Sequence, residues 1–110
     1  MSINPIIINN LKGFAPTSFQ KYTGKADTYI TFFEYNQGSA LNADDDEQIT
    51  RHSIQVDIWS KGDYTQLTNQ VKDKLKQLGF TKIYETEMYE EAESVITYHK
   101  LLRFFYFSRN

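Results

Sequence analysis

The stretch QITRHSIQVDIWSKGDYTQLTNQVKDKLKQLGF, residues 48–80, decides the fold of this chain. Its first part, residues 49–60, alternates between two kinds of side chain, as a strand does when one face lies against a core. The residues predicted to face the core are His52, Ile54, Val56 and Ile58. The opposite face is formed by Arg51, Ser53, Gln55, Asp57 and Trp59. The stretch therefore begins with a long strand whose buried side can be named residue by residue.

A helix follows this strand. Asp63 is typical of an N-cap, and Gln66 stands three residues later, where the partner in a capping box belongs. Apolar residues then recur at steps of three and four: Tyr64, Leu67, Val71, Leu75 and Leu78. Gly79 comes directly after this stripe, at the position where a left-handed residue ends a helix. The pattern predicts one main amphipathic helix that packs its apolar stripe on a sheet.

The flanking segments complete the domain. Residues 5–14 fit a short helix with Pro5 in its first turn, although the run of isoleucines also fits a strand. Further strands are predicted at residues 18–22, 27–35, 80–87 and 95–107, with a turn over residues 88–94. The element order α–β–β–β–α–β–β indicates a single α+β domain over residues 1–110, with a mostly antiparallel sheet and the main helix on one face. The aromatic last strand should lie inside the sheet or at a subunit contact, because a bare edge of this kind invites aggregation.

Residues 36–47, NQGSALNADDDE, are expected to form a polar loop between two long strands. These strands should pair antiparallel, because a short connection without a helix suits a hairpin better than a crossover. A loop of this length is often functional or mobile. The residues expected to contact another subunit or a partner are Gln37, Asn42, Asp44, Asp45, Asp46 and Glu47.

Composition limits the classes of function. The net charge is −2, so a basic surface for nucleic acid is not expected. The chain has no cysteine, which excludes disulfides and zinc sites built on thiolates. No window approaches the roughly 20 apolar residues of a membrane span, and the N-terminus lacks the features of a signal peptide, so we expect a soluble protein. Aromatic residues make up 15% of the chain, enough to build both a core and an interface.

The sequence contains no residue pattern that strongly indicates a catalytic or metal-binding site. The run Asp44–Glu47 lacks the ligand spacing of a calcium loop and is interpreted as a solvated or partner-binding segment. A second acidic group lies around the predicted turn and is expected to be exposed: Glu85, Glu87, Glu90, Glu91 and Glu93. His52 and His99 have no metal-binding spacing. Asp57 is interpreted either as an outward residue or as an ion-pair partner of Arg103 or Lys100. Catalytic, metal and cofactor residues are therefore not expected.

The order of apolar and polar residues resembles that of the small tail-completion proteins of long-tailed phages and prophages, also called tail-to-head joining or tail-terminator proteins. The resemblance spans about residues 22–107 and rests on four segments: YITFFEYNQ (29–37), RHSIQVDIWSKGDY (51–64), KQLGF (76–80) and YHKLLRFFY (98–106). It implies an α+β fold and a ring, typically a hexamer, that caps the tail tube and meets the head connector. It also implies no enzyme activity, no cofactor and a place in the virion after assembly in the host cytoplasm.

Two other classes of function stay open from the sequence. One is a small binding or regulatory α+β module of a bacterial cell. The other is a small enzyme that uses a carboxylate pair such as Glu90 and Glu91. Neighbouring portal, capsid and tail-tube genes would favour the phage protein, whereas metabolic neighbours would favour the cellular module.

Overall fold

The computed structural model describes residues 2–43 and 46–109 of the chain. Its elements are α1 (Asn4–Leu11), β1 (Thr17–Phe19), β2 (Tyr29–Ala43), β3 (Asp46–Ser60), α2 (Thr65–Gln77), β4 (Thr81–Ala92) and β5 (Val95–Arg109). Both the predicted α+β class and the predicted element order are confirmed. Of the two structures considered for the N-terminal piece, the chain forms the helix, and proline occupies its first turn.

Within the described residues the strands form one sheet in the order β1-β2-β3-β5-β4. The short β1 runs parallel to β2, and every other neighbouring pair is antiparallel. The expected hairpin pairing of β2 with β3 is confirmed. The aromatic β5 lies inside the sheet between β3 and β4, and its backbone has a neighbouring strand on both sides from Tyr98 to Phe105.

The predicted C-terminal end of α2 is confirmed, but the predicted N-cap is wrong by one residue, since Tyr64 is the N-cap and makes no side-chain capping hydrogen bond. The Asp63 side chain accepts hydrogen bonds from the backbone N–H of Thr65 at 2.9 Å and from the Thr65 hydroxyl at 2.8 Å. The bond thus comes from two residues further on, not from the predicted box partner. Gly79 has a φ of 96°, as predicted for a left-handed stop. Its N–H donates to the Lys76 carbonyl and the Phe80 N–H to the Leu75 carbonyl, the two bonds of a Schellman motif.

The core lies between one face of the sheet and the two helices. The sheet contributes mainly Ile30, Phe32, Ile54, Val56, Ile58, Leu102 and Phe104, and the helices contribute Ile7, Leu11, Val71 and Leu75. All four β3 residues predicted to face the core are buried. The spacing of apolar side chains along β3 and α2 therefore specifies this layer.

The predicted loop over residues 36–47 is wrong for the part that the structure describes. β2 continues to Ala43 and β3 begins at Asp46, with Ala43 paired to Asp46. Register shifts lie between Glu34 and Asn36 and again near Leu41, so the pairing includes bulges. A strand with bulges can include residues of low strand propensity, such as glycine and asparagine. These residues were the reason for predicting a loop here.

The predicted turn over residues 88–94 is also too long. β4 continues to Ala92, and the hairpin closes through Glu93 and Ser94, with φ of 54° and 67°. Two residues with positive φ give the turn type that matches the twist of paired strands. This turn could not be predicted from the sequence, because Glu93 and Ser94 stand where glycine or asparagine is usual.

Candidate interaction surfaces

The expected contact residues lie along the β2–β3 hairpin rather than on a loop. Gln37 pairs with His52, Asn42 pairs with Glu47, and Ala43 pairs with Asp46. Asp44 and Asp45 lie outside the described residues. Since Ile49 pairs with Arg109 at the end of β5, the hairpin runs on past the rest of the sheet. The two strands thus carry an acidic sequence to one end of a domain that measures 58 × 23 × 23 Å.

One edge of β2 is available along much of its length. β1 pairs only with Ile30, Thr31 and Phe32, so in the described part of β2 beyond Phe32 the sole neighbour is β3. An open depression of about 640 Å³ lies beside this edge and is lined in part by Glu34, Tyr35 and Gln37. Unpaired strand edges bind other strands unless something blocks them. Gln37 lies on this open edge, and its role in a contact stays a prediction.

The sheet face opposite the helices carries a row of stacked rings. Tyr22 stacks on Tyr29 with ring centroids 4.3 Å apart, and Tyr29 faces Trp59 at 6.0 Å. Trp59 stacks on His99 at 3.7 Å and an angle of 13°. The Trp59 N–H donates to the Thr31 hydroxyl at 3.0 Å. The row crosses β2, β3 and β5 and stiffens this end of the face.

Two arginines lie over aromatic rings further along the same face. The Arg103 guanidinium is 5.2 Å from the ring of Tyr35 and 5.6 Å from that of Tyr84. Arg51 lies 4.8 Å from the ring of Phe105. Arginine and aromatic side chains are enriched at the centres of protein interfaces. Several large hydrophobic side chains along this face are also exposed, among them Tyr35 (42%), Tyr84 (49%), Met88 (43%) and Phe107 (49%).

A polar network joins the two groups of rings. His99 Nε2 and Asp57 Oδ1 are 2.6 Å apart, and Gln55 donates to both oxygens of Asp57 at 3.1–3.2 Å. Arg103 Nε donates to Gln55 Oε1 at 3.2 Å. The interpretation of Asp57 as an ion-pair partner of Arg103 or Lys100 is thus corrected. Its partner is His99, which lies diagonally across from it on the neighbouring strand, and Gln55, which pairs with Arg103, separates Asp57 from that arginine.

His52 lies between two polar side chains at the hairpin end of the core. Its Nδ1 is 2.7 Å from Glu34 Oε2, and its Nε2 is 2.8 Å from Ser108 Oγ. Serine, histidine and a carboxylate in this order also form the catalytic triad of acyl-transfer enzymes. Here His52 is 1% exposed and Ser108 7%, and the lining of the neighbouring depression includes Glu34 but not Ser108. Both ring nitrogens of a buried histidine are satisfied, which supports a structural role.

The acidic group around β4 divides into two parts. Glu90, Glu91 and Glu93 are exposed, as expected. Glu85 instead lies on the helix side of the sheet, where it binds the ammonium groups of Lys82 at 2.5 Å and of Lys72 and Lys100 at 3.2 Å. The hydrogen bond from Lys82, helped by those from Lys100 and Lys72, lowers the pKa of Glu85 to about 2.

Glu87 accepts a hydrogen bond from the Tyr64 hydroxyl. Burial, together with this bond, raises the pKa of Tyr64. Glu87 is exposed, as expected, so within this acidic group only Glu85 departs from the predicted exposure.

A cavity of about 330 Å³ lies between α2 and the start of β4. Its floor is formed by the buried rings of Phe80 and Phe104, and Lys72, Lys76 and Lys82 stand around it with Asp73. Only part of this site could be recognised from the sequence. Lys72 and Lys76 share a helix face at i, i+4, but Lys82 joins them only through the pairing of β4 with β5.

Searches over the described residues find no group of three histidine, cysteine or carboxylate side chains placed to hold a metal ion. Among those residues, no helix is long and apolar enough to cross a membrane. No protein-family model matches the chain, and a comparison with curated protein sequences finds no match either.

Proposed function

We propose that this chain is a structural, non-enzymatic subunit of phage or prophage virions. In this proposal it forms a ring, most simply a hexamer, at the head-proximal end of the tail, where it completes the tail and joins it to the head. Its partners are further copies of itself, the tail-tube protein and the head connector. It is assembled in the cytoplasm of the host bacterium and ends in the neck of the virion.

The β2–β3 hairpin is the observation on which this proposal rests. It runs past the end of β5, leaves one edge of β2 beyond Phe32 unpaired among the residues that the structure describes, and carries the acidic run towards its end. A ring subunit needs two different surfaces, because each copy contacts one neighbour with one surface and the next neighbour with another. The hairpin supplies one such surface, and the aromatic face and the lysine-lined cavity offer others.

The arrangement of the polar groups supports assembly over catalysis. The side chains best suited to acid–base chemistry, His52, Asp57 and Glu85, each have close protein partners in or beside the core. By contrast, several large aromatic and apolar side chains on the strands are exposed, among them Tyr35, Tyr89 and Phe107. The resemblance to tail-completion proteins, carried by residues 29–37, 51–64, 76–80 and 98–106, points in the same direction.

Electron microscopy with tail tubes tests this function directly. The tubes are assembled from the tube protein encoded nearest to this gene, and the chain is added in excess. We expect a ring on one end of each tube and, by native mass spectrometry, a closed oligomer released from the tubes. A chain that stays monomeric and binds neither tubes nor connectors would contradict the proposal and favour a cellular binding module. An unrelated protein of similar size and charge serves as the control for nonspecific sticking.

A further inference from the structure

We infer that the lysine-lined cavity, formed by Lys72, Lys76 and Lys82 over Phe80 and Phe104, binds the acidic segment Asp44–Glu47 of a second copy of this chain. The inference rests on the proposed ring and names the contact that would build it. The cavity belongs to one end of the β4–β5 pair, and the acidic segment belongs to the far end of the β2–β3 hairpin.

The charge around the cavity favours an anionic occupant. Lys72 and Lys82 each form an ion pair with Glu85, and Glu85 forms a third ion pair with Lys100. Asp73, at the edge of the cavity, is a second carboxylate. Lys76 is exposed and, in the part of the chain that the structure describes, makes no ion pair. Around the cavity itself three lysines thus stand against one carboxylate, that of Asp73, and Glu85 lies outside the lining, which leaves a positive rim over an apolar floor. Complementary charge of this kind guides association and fixes which surfaces meet.

The acidic segment is the matching partner within this chain. Asp44, Asp45, Asp46 and Glu47 are consecutive, so the segment carries more negative charge than any other stretch of this length. Asp46 pairs with Ala43, which places the segment where the two long strands meet. Four adjacent carboxylates repel one another, and this repulsion falls when cations approach them, so contact with lysines favours binding of the segment.

A copy cannot fill its own cavity with this segment. Phe104, in the cavity floor, pairs with Lys82 on one side and with Ile54 on the other. Asp46 belongs to the same strand as Ile54 and lies eight residues away, which is about 27 Å along an extended strand. Because β2 and β3 are paired over this distance, Asp46 is held away from the cavity of its own copy. The contact therefore joins different surfaces on two copies, and repeating such a contact with rotation gives a ring.

Cross-linking between labelled copies tests the contact. Chains with natural nitrogen and with ¹⁵N are mixed in equal amounts, and a carbodiimide is used to join carboxylates directly to lysines. We expect mixed-isotope cross-links between the peptide that contains Asp44–Glu47 and Lys72, Lys76 or Lys82, in concentrated solution and on tail tubes. The inference is overturned if such cross-links are missing from both samples, or if they lead mainly to distant lysines such as Lys12 and Lys21.

Charge reversal gives a second, independent readout. Lys76→Glu and Asp45→Lys should each weaken self-association by about tenfold or more, because like charges then meet in the contact. An equimolar mixture of the two variants should restore association, since the reversed cavity of one accepts the reversed segment of the other. Lys74→Glu and Glu91→Lys change the net charge equally at other places and should have little effect. Circular dichroism and thermal melting confirm that all four variants fold.

The results separate this inference from the proposed function. Rings that form on tubes regardless of the reversals would overturn the inference and leave the function standing. Cross-links and reversal effects in a chain that ignores tubes and connectors would support the contact and contradict the tail function. The inference would also be overturned if each reversal weakens association and the mixture of the two variants does not restore it. The lysine-lined cavity would then bind an acidic partner other than a second copy.

Discussion

Trp59 and His99 stack on each other across the β3–β5 pair, with ring centroids 3.7 Å apart and planes inclined by 13°. His99 is held in this position by Asp57, which lies 2.6 Å from its Nε2. The indole and the imidazole thus lock the two central strands together on the face that the helices leave uncovered. The coupling free energy between these two rings can be measured, because each ring can be removed by a single substitution.

We expect the two rings to be energetically coupled. In a double-mutant cycle, Trp59→Leu removes the indole, and His99→Gln removes the imidazole while it keeps a donor for Asp57. The coupling should be about 0.5–1.5 kcal/mol, as for other close ring pairs, and urea unfolding measures it. The control cycle joins Trp59→Leu to Phe107→Leu, near the other end of β5, where the coupling should be within about 0.5 kcal/mol of zero. Equal values in both cycles would show that the stack adds nothing specific.

Leu75→Ala should destabilise the domain by about 2–5 kcal/mol, the usual range for truncating a buried leucine. Leu75 is fully buried in the layer between α2 and the sheet. The matched control is Gln77→Ala on the same helix, at an exposed position, where a change within about 0.5 kcal/mol is expected. Chemical denaturation monitored by Trp59 fluorescence measures both. A loss below about 1 kcal/mol for Leu75 would mean that the stripe does not form the core.

The sequence predicted the elements that hydrophobic periodicity determines. The core face of β3 and the stripe of α2 each repeat with the period of one structure, so both could be assigned from the residues alone. The extension of β2 through Asn36 and Gly38 could not be assigned, because pairing with β3 overrides their weak strand propensity.

Candidate sites depend on register, which a single sequence does not determine. Glu34, His52 and Ser108 meet only because β2, β3 and β5 are neighbours in one particular alignment. The lysines around Glu85 come together for the same reason, from α2, β4 and β5. By contrast, the expected contact residues were predicted from the composition of residues 36–47 alone. The structure places the described ones on a hairpin, and their role in a contact stays a prediction.

Gly79→Ala should cost about 1–2 kcal/mol, because the φ of 96° that ends α2 is strained for any residue with a Cβ. Steric crowding does not add to this cost, since the nearest atom to an added Cβ would be Cε1 of Tyr106 at 3.9 Å. The control is Gly62→Ala, where the backbone has no such φ and nothing lies within 4 Å of an added Cβ. Gly62→Ala should be neutral or slightly stabilising, because it restricts the unfolded chain. Similar losses at both glycines in thermal melts would contradict this explanation of the helix end.

Glu85 should make the stability of the domain depend on acid pH. Its lysine partners lower its pKa from the ordinary 4.5 to about 2 in the folded state. A carboxyl group with a depressed pKa binds its proton more readily when the chain is unfolded. Its stabilisation is therefore complete above about pH 5 and is lost as the pH falls towards 2. Because Glu85 is 23% exposed and solvent screens its ion pairs, we expect a contribution of about 1–2 kcal/mol.

Glu85→Gln tests this dependence. The variant should be less stable than the parent chain at pH 7, and the difference should shrink between about pH 5 and pH 2, since the parent loses its ion pairs there. Glu91→Gln, at an exposed position with no lysine partner among the described residues, should follow the parent over the whole range. Urea unfolding at a series of pH values measures the three curves. A Glu85→Gln curve that stays parallel to the parent down to pH 2 would show that the lysines around Glu85 do not stabilise its charge. Lys72 and Lys82 would then be free to turn towards the cavity that we assign to a second copy.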